Sequence, residues 1–571
     1  MKRLILALRA GHNASACIGD GRSILFAVQE ERLAGEKNYW GFPRLALRAC
    51  LDAAGATPAD LAAIACGERF VLAAYHSRDD LLRAYRRHLT FAGRLRQRYL
   101  VRAVTHLKPS YGQGTLHRLL AEEGLGEVPL RFFDHHDAHA ATAYYGLRRG
   151  PEEPYLVLTC DGGGDGCCAS VRVAGGGRDE VLARTRDTHS LGALYGWVTY
   201  ALGFMPWEHE YKLMGMAPYA EEAAGRRAAG LFKSYLGLDR SGLRFRRRIP
   251  EAVGTIGRRL FRDLRGRRFD QVCAGLQLFT EELLAEWAAN AVRATGVGRV
   301  LAAGGVFMNV KANQRIAALP EVESFEAFPS CGDETLSLGG YYLAAAADGA
   351  GAGAKIEPLR HFYLGGGVDD ADAEPAIRAA GFAYDRPADP AAAVAALLAA
   401  GHPVARCSGR MEYGARALGN RSILADPSNP DVVRVINRMI KKRDFWMPFA
   451  PIVGAERQHD FLRNPKGLRS PYMMMTFDTR DNFRELLAAV HGADLTCRAQ
   501  ILEREQNPEV HAILDAFAGA TGRAILLNTS FNLHGFPIVR TAPDALAVFR
   551  DSGLEHLQLA SFLVRKEALR G

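Results

Sequence analysis

Two stretches of the chain share one pattern of apolar runs and polar turns. Residues 3–32, RLILALRAGHNASACIGDGRSILFAVQEER, predict a strand, a polar turn, a strand, a Gly-Asp-Gly turn and a third strand. Residues 155–186, YLVLTCDGGGDGCCASVRVAGGGRDEVLARTR, predict the same order, with GGGRD as the second turn. The shared pattern indicates an internal duplication in which each copy begins with a buried strand followed by a small polar loop.

Strands and helices alternate in the next part of the chain. Residues 297–319 predict a strand, a Gly-Gly turn and a helix, and residues 322–347 predict a strand, a loop and a second helix. Asp333 is expected to cap this second helix, which begins near Glu334. Such alternation is typical of an α/β fold.

A segment rich in glycine and alanine, DGAGAGAKIEP at 348–358, predicts a linker. It separates a first domain, residues 1–347, from a second domain, residues 359–571. In the second domain, residues 391–409 predict a helix that leads into a strand, and the apolar run at 524–532 predicts another strand. A chain of this length exceeds one compact domain, so two α/β domains are expected.

The composition is that of an ordinary globular protein, with 48% hydrophobic and 24% charged residues. Lysine and arginine number 72 against 63 acidic residues, an excess of +9 that is concentrated at 83–102, 244–248 and 258–268. A solvated basic face is favoured over nucleic-acid binding, because no aromatic or glycine-rich RNA-binding signature accompanies these clusters. An anionic small substrate would also suit them.

Three features bear on location. The N-terminal MKRLILALRAG has too short an apolar stretch for a secretory signal, and no stretch approaches the length needed to cross a bilayer. The ten cysteines form no CxxC pair, which favours reduced thiols. We therefore expect a cytoplasmic protein with no membrane partner.

Three histidines fall within five positions in FFDHHDAHAATAYY at 132–145. The preceding VPLRFF predicts a buried strand, and the residues that follow predict a helix of small side chains. His135 and His139 are four apart and share one helix face, whereas His136 points elsewhere. The pair can hold a metal, although half-buried histidines also fall at helical spacing without one.

A metal site needs a third ligand, and Asp333 is the natural candidate. Helix capping explains a carboxylate at this loop-to-helix junction about equally well. Two imidazoles and one carboxylate would leave positions open for substrate or nucleotide oxygens. That ligand set accepts Fe(II), Zn(II) or Mn(II), and ligand chemistry does not choose among them.

Glycine-rich loops suggest contacts with anions. DGGGDG at 161–166 follows a buried strand, and its glycines let backbone N–H groups approach an anion closely, while its acids can serve a bound metal or its waters. GGVFMN at 304–309 is a weaker sign, because its glycines could equally pack a helix on a sheet. Asn309 in that segment could contact a nucleotide or begin a helix.

The second domain gathers cationic side chains in GRMEYGARALGNRSILADP and NRMIKKRDFWMPFAP. Arginines along a glycine-containing loop suit bidentate capture of phosphate or carbamate oxygens, and a salt-bridged surface loop is the alternative. Polar groups at predicted strand ends add to this set, with no partner that argues for covalent catalysis. The residues concerned are Arg410, Arg416, Arg421, Lys441, Lys442, Arg443, Arg498, Ser530 and Asn532.

Taken in order, these motifs resemble those of the carbamoyltransferases of natural-product and nodulation-factor biosynthesis, and the resemblance spans essentially the whole chain. The motifs are HHDAHA, DGGGDG, SLGALY, EYKLMGMAPY, AGGVFMN, GARALGNRSILADP, KKRDFWMPFAP and LNTSFNLHGFPIV. The resemblance implies an N-terminal domain with the duplicated ATPase fold of actin, similar to threonylcarbamoyl transferases. It implies a C-terminal YrdC-like α/β domain.

The resemblance also implies a reaction. The C-terminal domain would cleave carbamoyl phosphate, and the carbamate would join AMP from ATP, with Mg as its counterion, to give a carbamoyl adenylate and pyrophosphate. The N-terminal domain would then move the carbamoyl group to a hydroxyl of a small-molecule acceptor. The partners implied are carbamoyl phosphate, ATP and that acceptor, without nucleic acid, and a homodimer is left open.

The resemblance assigns roles to individual residues. His135, His139 and Asp333 would hold the metal, with Fe(II) placed ahead of Zn or Mn. His12 and Lys37 would lie near the reaction chamber. The nucleotide phosphates would be faced by Asp161, Gly162, Gly163 and Gly164. The adenosine would be contacted by Gly304, Gly305 and Asn309. Carbamoyl phosphate would be held by Arg416, Lys441, Arg498, Ser530 and Asn532.

The chain departs from the family pattern at Asn13, Ala415 and Phe536, where Asp, Pro and Glu are usual. Each change alters loop stiffness or one polar contact and removes no predicted ligand. A tRNA-modifying enzyme of the threonylcarbamoyl type is the alternative, supported by the basic clusters and opposed by the fused second domain. A catalytically silent nucleotide-binding scaffold would have little need for both the metal residues and the cationic loops.

Overall fold

The computed structural model describes residues 4–71, 77–90, 112–349, 356–440 and 444–566. Lys441, much of the basic stretch at 83–102 and most of the predicted linker lie outside the described residues. The chain divides into two compact units. One comprises Met1–Glu30 and Asn38–Leu359, and the other comprises Glu31–Lys37 and Arg360–Gly571.

Two five-stranded sheets of the same topology form the first unit. In the first sheet the order is β4-β3-β1-β6-β7, where β1 pairs antiparallel with β3 and parallel with β6. The strands of this part are β1 Leu4–Arg9, β2 Gly11–His12, β3 Ser15–Gly19, β4 Ile24–Gln29, β5 Trp40–Gly41, β6 Leu61–Cys66 and β7 Leu130–Phe132. The short β2 and β5 pair separately.

The second sheet repeats this arrangement in the order β10-β9-β8-β13-β14, with β8 antiparallel to β9 and parallel to β13. Its bounds, with those of the separate β11–β12 pair, are β8 Tyr155–Gly164, β9 Cys167–Gly175, β10 Arg178–Arg186, β11 Leu236–Leu238, β12 Phe245–Arg247, β13 Arg299–Ala303 and β14 Ser324–Ala327. Each sheet is an antiparallel three-strand meander extended by two parallel strands. The predicted duplication is confirmed, and the topology is that of the actin-like ATPase fold.

Helices follow the strands as the sequence patterns predict. Within the described residues up to 349, the helices are α1 Glu30–Ala34, α2 Arg44–Ala54, α3 Arg78–His88, α4 Gln113–Glu122, α5 His135–Leu147, α6 Leu191–Ala201, α7 Glu210–Met216, α8 Glu222–Lys233, α9 Gly257–Leu264, α10 Phe269–Thr295, α11 Val310–Ala317 and α12 Leu336–Gly349. The helix α5 packs against α12 and against β8 and β13. It is therefore covered on several sides, with nine of its residues buried.

One mixed sheet of eight strands, in the order β15-β25-β24-β16-β17-β23-β18-β22, forms the second unit, beside a three-stranded sheet β19-β20-β21. The strands are β15 Ala383–Asp385, β16 Val404–Cys407, β17 Arg421–Ala425, β18 Ala450–Gly454, β19 Leu462–Arg463, β20 Phe477–Thr479, β21 Thr496–Cys497, β22 Gln500–Leu502, β23 Ile525–Ser530, β24 His556–Leu559 and β25 Phe562–Arg565. The helices are α13 Asp370–Ala380, α14 Pro390–Ala399, α15 Asp431–Met439, α16 Gln458–Phe461, α17 Pro508–Thr521 and α18 Ala542–Asp551. The α/β class predicted for both parts of the chain is confirmed.

Both faces of the eight-stranded sheet are buried. Neighbouring residues along a strand belong to different apolar clusters: Val404 and Leu424 to one, Ala405 and Ile423 to the other. Successive side chains of a strand point to opposite faces, so the two clusters cover the two faces. This explains why inner strands of the second unit, such as β17 and β18, are buried at every position rather than at alternate ones.

The structure corrects two local predictions. The strand predicted as buried before the histidines is short, Leu130–Phe132, and only half-buried, because it lies at the edge of its sheet. Asp333 does not cap a helix; it begins a short 3-10 turn, Asp333–Thr335, whose N-cap is Gly332, with no side-chain capping bond. Its carboxylate is used elsewhere, as described below.

All ten cysteines lie within the described residues, and each is buried and free. Burial also raises the pKa of several of them, for example Cys167 to about 11. Among the described helices, none combines the length and the apolar run needed to cross a bilayer.

Candidate active site

The candidate site begins at the first turn of α5. Asp134 caps the helix, because its carboxylate accepts hydrogen bonds from the backbone N–H groups of His136 and Asp137 at 3.0 and 3.1 Å. The cap fixes where the helix starts and thus which side chains share a face. His135 and His139, one turn apart, face the same point, with ring centroids 4.8 Å apart.

Two carboxylates from distant parts of the chain meet this histidine pair. The Nε2 atoms of His135 and His139 lie 3.6 and 3.7 Å from Oδ1 of Asp333. Asp161, in the second half of β8, brings its Oδ2 to 3.3 Å from His135 Nε2. One donor atom from each of the four residues lies within 4.8 Å of the others. The structure thus brings together the three predicted ligands and adds a fourth group.

The four groups fit a divalent metal ion. His139 is fully buried, and neither of its ring nitrogens makes a hydrogen bond within the described parts of the chain. Its 3.7 Å separation from Asp333 is too long for a hydrogen bond. Buried imidazole nitrogens normally have a partner, and an ion among these donors would supply one. Two imidazoles and two carboxylates suit Fe(II), Zn(II) and Mn(II) alike.

A buried arginine balances the acidic charge. Arg9, the last residue of β1, pairs with Glu68 and, through Nη2, with Asp333 Oδ2 at 2.9 Å. Burial raises the pKa of Asp333, but Arg9 and the histidines outweigh it and hold that pKa well below its usual value. Asp333 is therefore ionised at neutral pH, as a metal ligand must be.

The same buried charges also shift the pKa values of His135, Asp161 and Glu68. Burial lowers the pKa of His135, but Asp333 and Asp161 raise it to about 9. The pKa of Asp161 is raised by burial and by Asp333, yet falls to about 2 because of its hydrogen bond with His135 and the histidine charges. Glu68, in contrast, has its pKa raised to about 7, chiefly by burial. The site therefore concentrates charge in a desolvated place, as functional sites often do.

His136 takes no part in this cluster. Its Nδ1 lies 2.8 Å from the Thr159 hydroxyl, which in turn lies 2.6 Å from the Ser170 hydroxyl. Burial lowers the pKa of His136 to about 3, so it is neutral. The prediction that His136 points away from the pair is confirmed.

The glycines of 161–166 allow close packing around the histidines. A Cβ on Gly164 would lie 2.2 Å from the His135 ring, so only glycine fits there. Gly162 and Gly163 are exposed, with their backbone accessible at the loop. Asp165 has a structural role, since its carboxylate accepts backbone N–H groups from Arg69, Phe70 and His135 at 2.8 to 2.9 Å. This ties the loop to the start of α5 and leaves Asp165 outside the group of candidate ligands.

The Gly-Gly turn after β13 approaches the same strand end. Gly304 has φ +100°, and a Cβ there would lie 2.3 Å from the Cys160 carbonyl oxygen. The N–H of Gly305 donates to Asp161 Oδ1 at 2.9 Å, which orients that carboxylate. Asn309 caps α11, because its Oδ1 accepts a hydrogen bond from the Ala312 N–H. Its side-chain amide also forms two hydrogen bonds with the side-chain amide of Gln277, one in each direction. Its side chain thus begins a helix, one of the two roles that the sequence left open.

His12 lies in β2, directly opposite Trp40 of β5. It is buried, and burial lowers its pKa to about 4. Its Nε2 makes no hydrogen bond with any described residue. Lys37 is exposed and belongs to the short segment grouped with the second unit.

In the second unit, buried amides bring three motif segments together. Gln500 donates to the carbonyl of Leu418 at 3.0 Å, Asn528 donates to that of Ala417 at 3.0 Å, and the two amides lie 3.3 Å apart. This joins the loop carrying Arg416, the segment carrying Arg498 and the strand end carrying Ser530. Arg416, Arg498 and Ser530 are all half-buried.

The loop around Arg416 is shaped by Glu412, a residue that the sequence interpretation passed over. One oxygen of this buried carboxylate accepts the N–H groups of Leu418, Asn420 and Arg421 at 2.8 to 3.1 Å. Arg421 is fully buried and donates to backbone carbonyls, so it braces the loop instead of binding an anion. Ser530 donates to Asn532 Oδ1 at 2.6 Å, and Asn532 donates to two backbone carbonyls.

Several of these residues could not be singled out from the sequence. Arg9 and Glu68 were missed, and a metal role for Asp161 was raised only as one possibility for the acids of DGGGDG. Arg9 ends the apolar strand β1, and Asp161 directly follows the apolar run of β8; in α/β folds the carboxyl ends of such runs carry functional side chains. Glu68 and Glu412 offered no comparable signal.

Comparisons with known proteins agree with the motifs. A family model described as the carbamoyltransferase N-terminus matches residues 4–341, and one described as the carbamoyltransferase C-terminus matches residues 395–566. Nodulation protein NolNO of Sinorhizobium fredii is 32% identical over 97% of this chain and 79% of its own length. Protein sll1178 of Synechocystis is 30% identical over 97% and 95%. A solved structure, HypF of T. kodakarensis, matches at 13% identity and a TM-score of 0.33, over 61% of this chain and 48% of its own.

Proposed function

The chain belongs to the carbamoyltransferase family, and from that premise we propose that it is an ATP-dependent O-carbamoyltransferase. It takes the carbamoyl group of carbamoyl phosphate, passes it through a carbamoyl adenylate and places it on a hydroxyl of a natural product. The observation that carries this proposal is the convergence of His135, His139, Asp161 and Asp333 beside a glycine-rich loop.

The four converging residues would hold a divalent transition-metal ion, with His135, His139 and Asp333 as the predicted ligands and Asp161 beside them. When bound, the ion supplies Lewis acidity that polarises the carbamoyl group or orients its phosphate. Arg9 keeps Asp333 ionised and fixes one of its oxygens, so the other oxygen faces the histidines. Gly305 orients Asp161 in the same way.

The nucleotide has a natural place at the glycine-rich carboxyl end of β8. Gly162 and Gly163 are exposed, and the backbone N–H groups of such glycines suit phosphate oxygens. Gly304 and Gly305 are kept as adenosine contacts by the motif alone, because the space that a side chain would fill there is taken by Cys160 and Asp161. The Asn309 amide already pairs with Gln277, so backbone groups carry more of the nucleotide contact than that side chain does.

Carbamoyl phosphate binds in the second unit. Arg416 and Arg498 are half-buried on segments joined by the Gln500 and Asn528 amides, where a partly desolvated guanidinium attracts phosphate and carbamate oxygens strongly. Ser530 and Asn532 add neutral donors. Lys441 is retained as a further candidate by the motif alone. The fused C-terminal match disfavours the tRNA-modifying alternative.

The proposal is tested by incubating the protein with Mg-ATP, carbamoyl phosphate and a panel of hydroxylated natural products. We expect release of pyrophosphate that depends on carbamoyl phosphate, and an acceptor whose mass increases by one carbamoyl group. The matched control omits carbamoyl phosphate. Pyrophosphate release at the same rate in that control, or transfer that does not require ATP, would contradict the proposed reaction.

A further inference from the structure

Trp207 is unusual in both exposure and backbone conformation. Its side chain is 47% exposed, and its φ of +68° lies in the left-handed region, where a bulky residue is a clear outlier. A backbone conformation of this kind costs free energy, and it persists where the surroundings enforce it, often at functional sites. The conformation and exposure of Trp207 therefore call for an explanation.

The surroundings of Trp207 hold it firmly. Its backbone N–H donates to Glu210 Oε1 at 2.7 Å, and its ring meets the His12 ring edge-on, with ring centroids 5.8 Å apart. The indole stacks on Trp40, with ring centroids 5.7 Å apart and planes inclined by 14°. Three separate contacts thus fix an aromatic surface that remains open to solvent on its outer side.

This surface lies next to the candidate metal site. Trp40 is paired with His12 across β2 and β5, and the His12 ring lies 4.7 Å from Trp40 and 5.8 Å from Trp207. Gly11, beside His12 in β2, lies against the Arg9 guanidinium, because a Cβ there would be 3.0 Å from Arg9 Nη1, and Arg9 Nη2 contacts Asp333 at 2.9 Å. The indole of Trp207 is therefore within the reach of a small molecule that also touches the metal residues.

We propose that Trp207, braced by Trp40, is the platform on which the acceptor binds, and that it selects acceptors with a saturated hydroxylated ring. The C–H face of such a ring packs on the negative face of an indole, while its hydroxyls stay at the edge and are free to react. A fixed indole loses little conformational freedom on binding. An acyclic polyol lacks that face. This inference rests on the proposed function for the identity of the acceptor.

A nucleobase is the competing occupant, because adenine also stacks on indoles. The observations favour the acceptor. The loops assigned to the nucleotide lie at Gly162–Gly163 and Gly304–Gly305, whereas Trp207 is grouped with His12 and Trp40. The test separates the two, since one predicts a change in the KM for acceptor and the other a change in the KM for ATP.

The full-length protein is compared with Trp207→Ala and Trp207→Phe, with Phe261→Ala as the control at a comparably exposed aromatic residue, 40% exposed. Binding is followed by tryptophan fluorescence with cellotetraose, triacetylchitotriose and the acyclic polyol sorbitol. Activity is followed as pyrophosphate release without acceptor and as carbamoyl transfer to the ring probes. Fluorescence does not depend on catalysis.

We expect a saturable fluorescence change with at least one ring probe and none with sorbitol. Trp207→Ala should abolish it and raise the KM for that probe about tenfold or more, as for the loss of one stacking contact. In Trp207→Ala, pyrophosphate release and the KM for ATP should stay unchanged. Phe261→Ala should bind the probe as the unaltered protein does, and Trp207→Phe should keep most of the affinity.

The platform is overturned if no ring probe gives a saturable response, if Trp207→Ala binds as the unaltered protein does, or if only the KM for ATP changes. If ring probes bind through Trp207 but pyrophosphate release does not depend on carbamoyl phosphate, the proposed reaction is wrong. The proposal that Trp207 binds hydroxylated rings is then still supported. The two failures are therefore distinguishable.

Discussion

Single side chains determine what can bind at the start of α5. His139 is buried without a hydrogen bond among the described residues, whereas its neighbour His136 is satisfied by Thr159. The two residues have the same chemistry, helix and degree of burial. They differ in whether two carboxylates stand opposite their ring nitrogens, which makes them a matched pair for experiment.

His139→Ala should lose bound metal and carbamoyl transfer, because loss of a group that only supports a ligand already weakens metal binding by roughly 10- to 100-fold, and loss of a ligand itself weakens it more. His136→Ala should keep its metal and lose stability by about 1–3 kcal/mol, because the change removes a buried hydrogen bond to Thr159 and leaves a cavity where the imidazole was. Metal content by elemental analysis and unfolding in urea measure the two effects. Equal metal content in both variants would exclude His139 as a ligand.

The sequence foreshadowed part of this cluster. The four-residue spacing predicted that His135 and His139 share a face, since helix geometry alone determines it. Asp333 could be named only as a candidate, because nothing local distinguishes a capping carboxylate from a ligand. Arg9 and Glu68 could not be placed, because their pairing depends on β1 and β6 lying side by side.

At the scale of elements, the site depends on how closely α5 and α12 pack. A Cβ on Gly339 of α12 would lie 2.2 Å from the carbonyl oxygen of Ala138 on α5. The histidines lie on α5, and Asp333 lies in the turn that leads directly into α12. The helix separation therefore sets the distance between the imidazoles and the carboxylate.

Gly339→Ala should weaken metal binding without removing any ligand. The added methyl group pushes the helices apart, and overpacking of this kind costs about 1–3 kcal/mol. The control is Gly230→Ala on α8, where a Cβ would meet nothing within 4 Å; that change should leave metal binding intact and stabilise the helix by about 0.5–1 kcal/mol. Metal titration and thermal unfolding are the measurements. If Gly339→Ala binds metal normally, the helix separation does not control the site.

Elements were more predictable than their contacts. Alternating apolar runs and glycine turns predicted both meanders, which the two sheets confirm. The edge position of β7 was missed, because an apolar run such as VPLRFF has the same pattern in the middle of a sheet as at its rim. The close approach at Gly339 was equally hidden, since a glycine in a helix has several explanations.

At the scale of the whole molecule, the chain carries two sets of candidate residues in two compact units. The histidines and their carboxylates belong to the first, and Arg416 and Arg498 to the second. If each set serves its own chemical step, the two steps can be lost separately. The domain boundary expected at 348–358 is close to the division after Leu359, but no sequence pattern indicated that Glu31–Lys37 groups with the second unit.

Arg416→Ala should lower the rate of phosphate release from carbamoyl phosphate by about 100-fold or more. A guanidinium that neutralises a phosphoryl group contributes several kcal/mol to stabilising the transition state. His139→Ala should leave that release intact while losing transfer to the acceptor. Phosphate and carbamoylated product are measured in the same reaction mixture. Loss of phosphate release in both variants would mean that the two steps are not divided between the residue sets.

The burial of all ten thiols has a practical consequence. Maleimide dyes and spin labels react with accessible thiolates, so the native cysteines should remain largely unmodified while the protein is folded. A single cysteine introduced at an exposed position would then carry the probe by itself. Spectroscopic work on this enzyme could begin from the natural chain, without first replacing its cysteines.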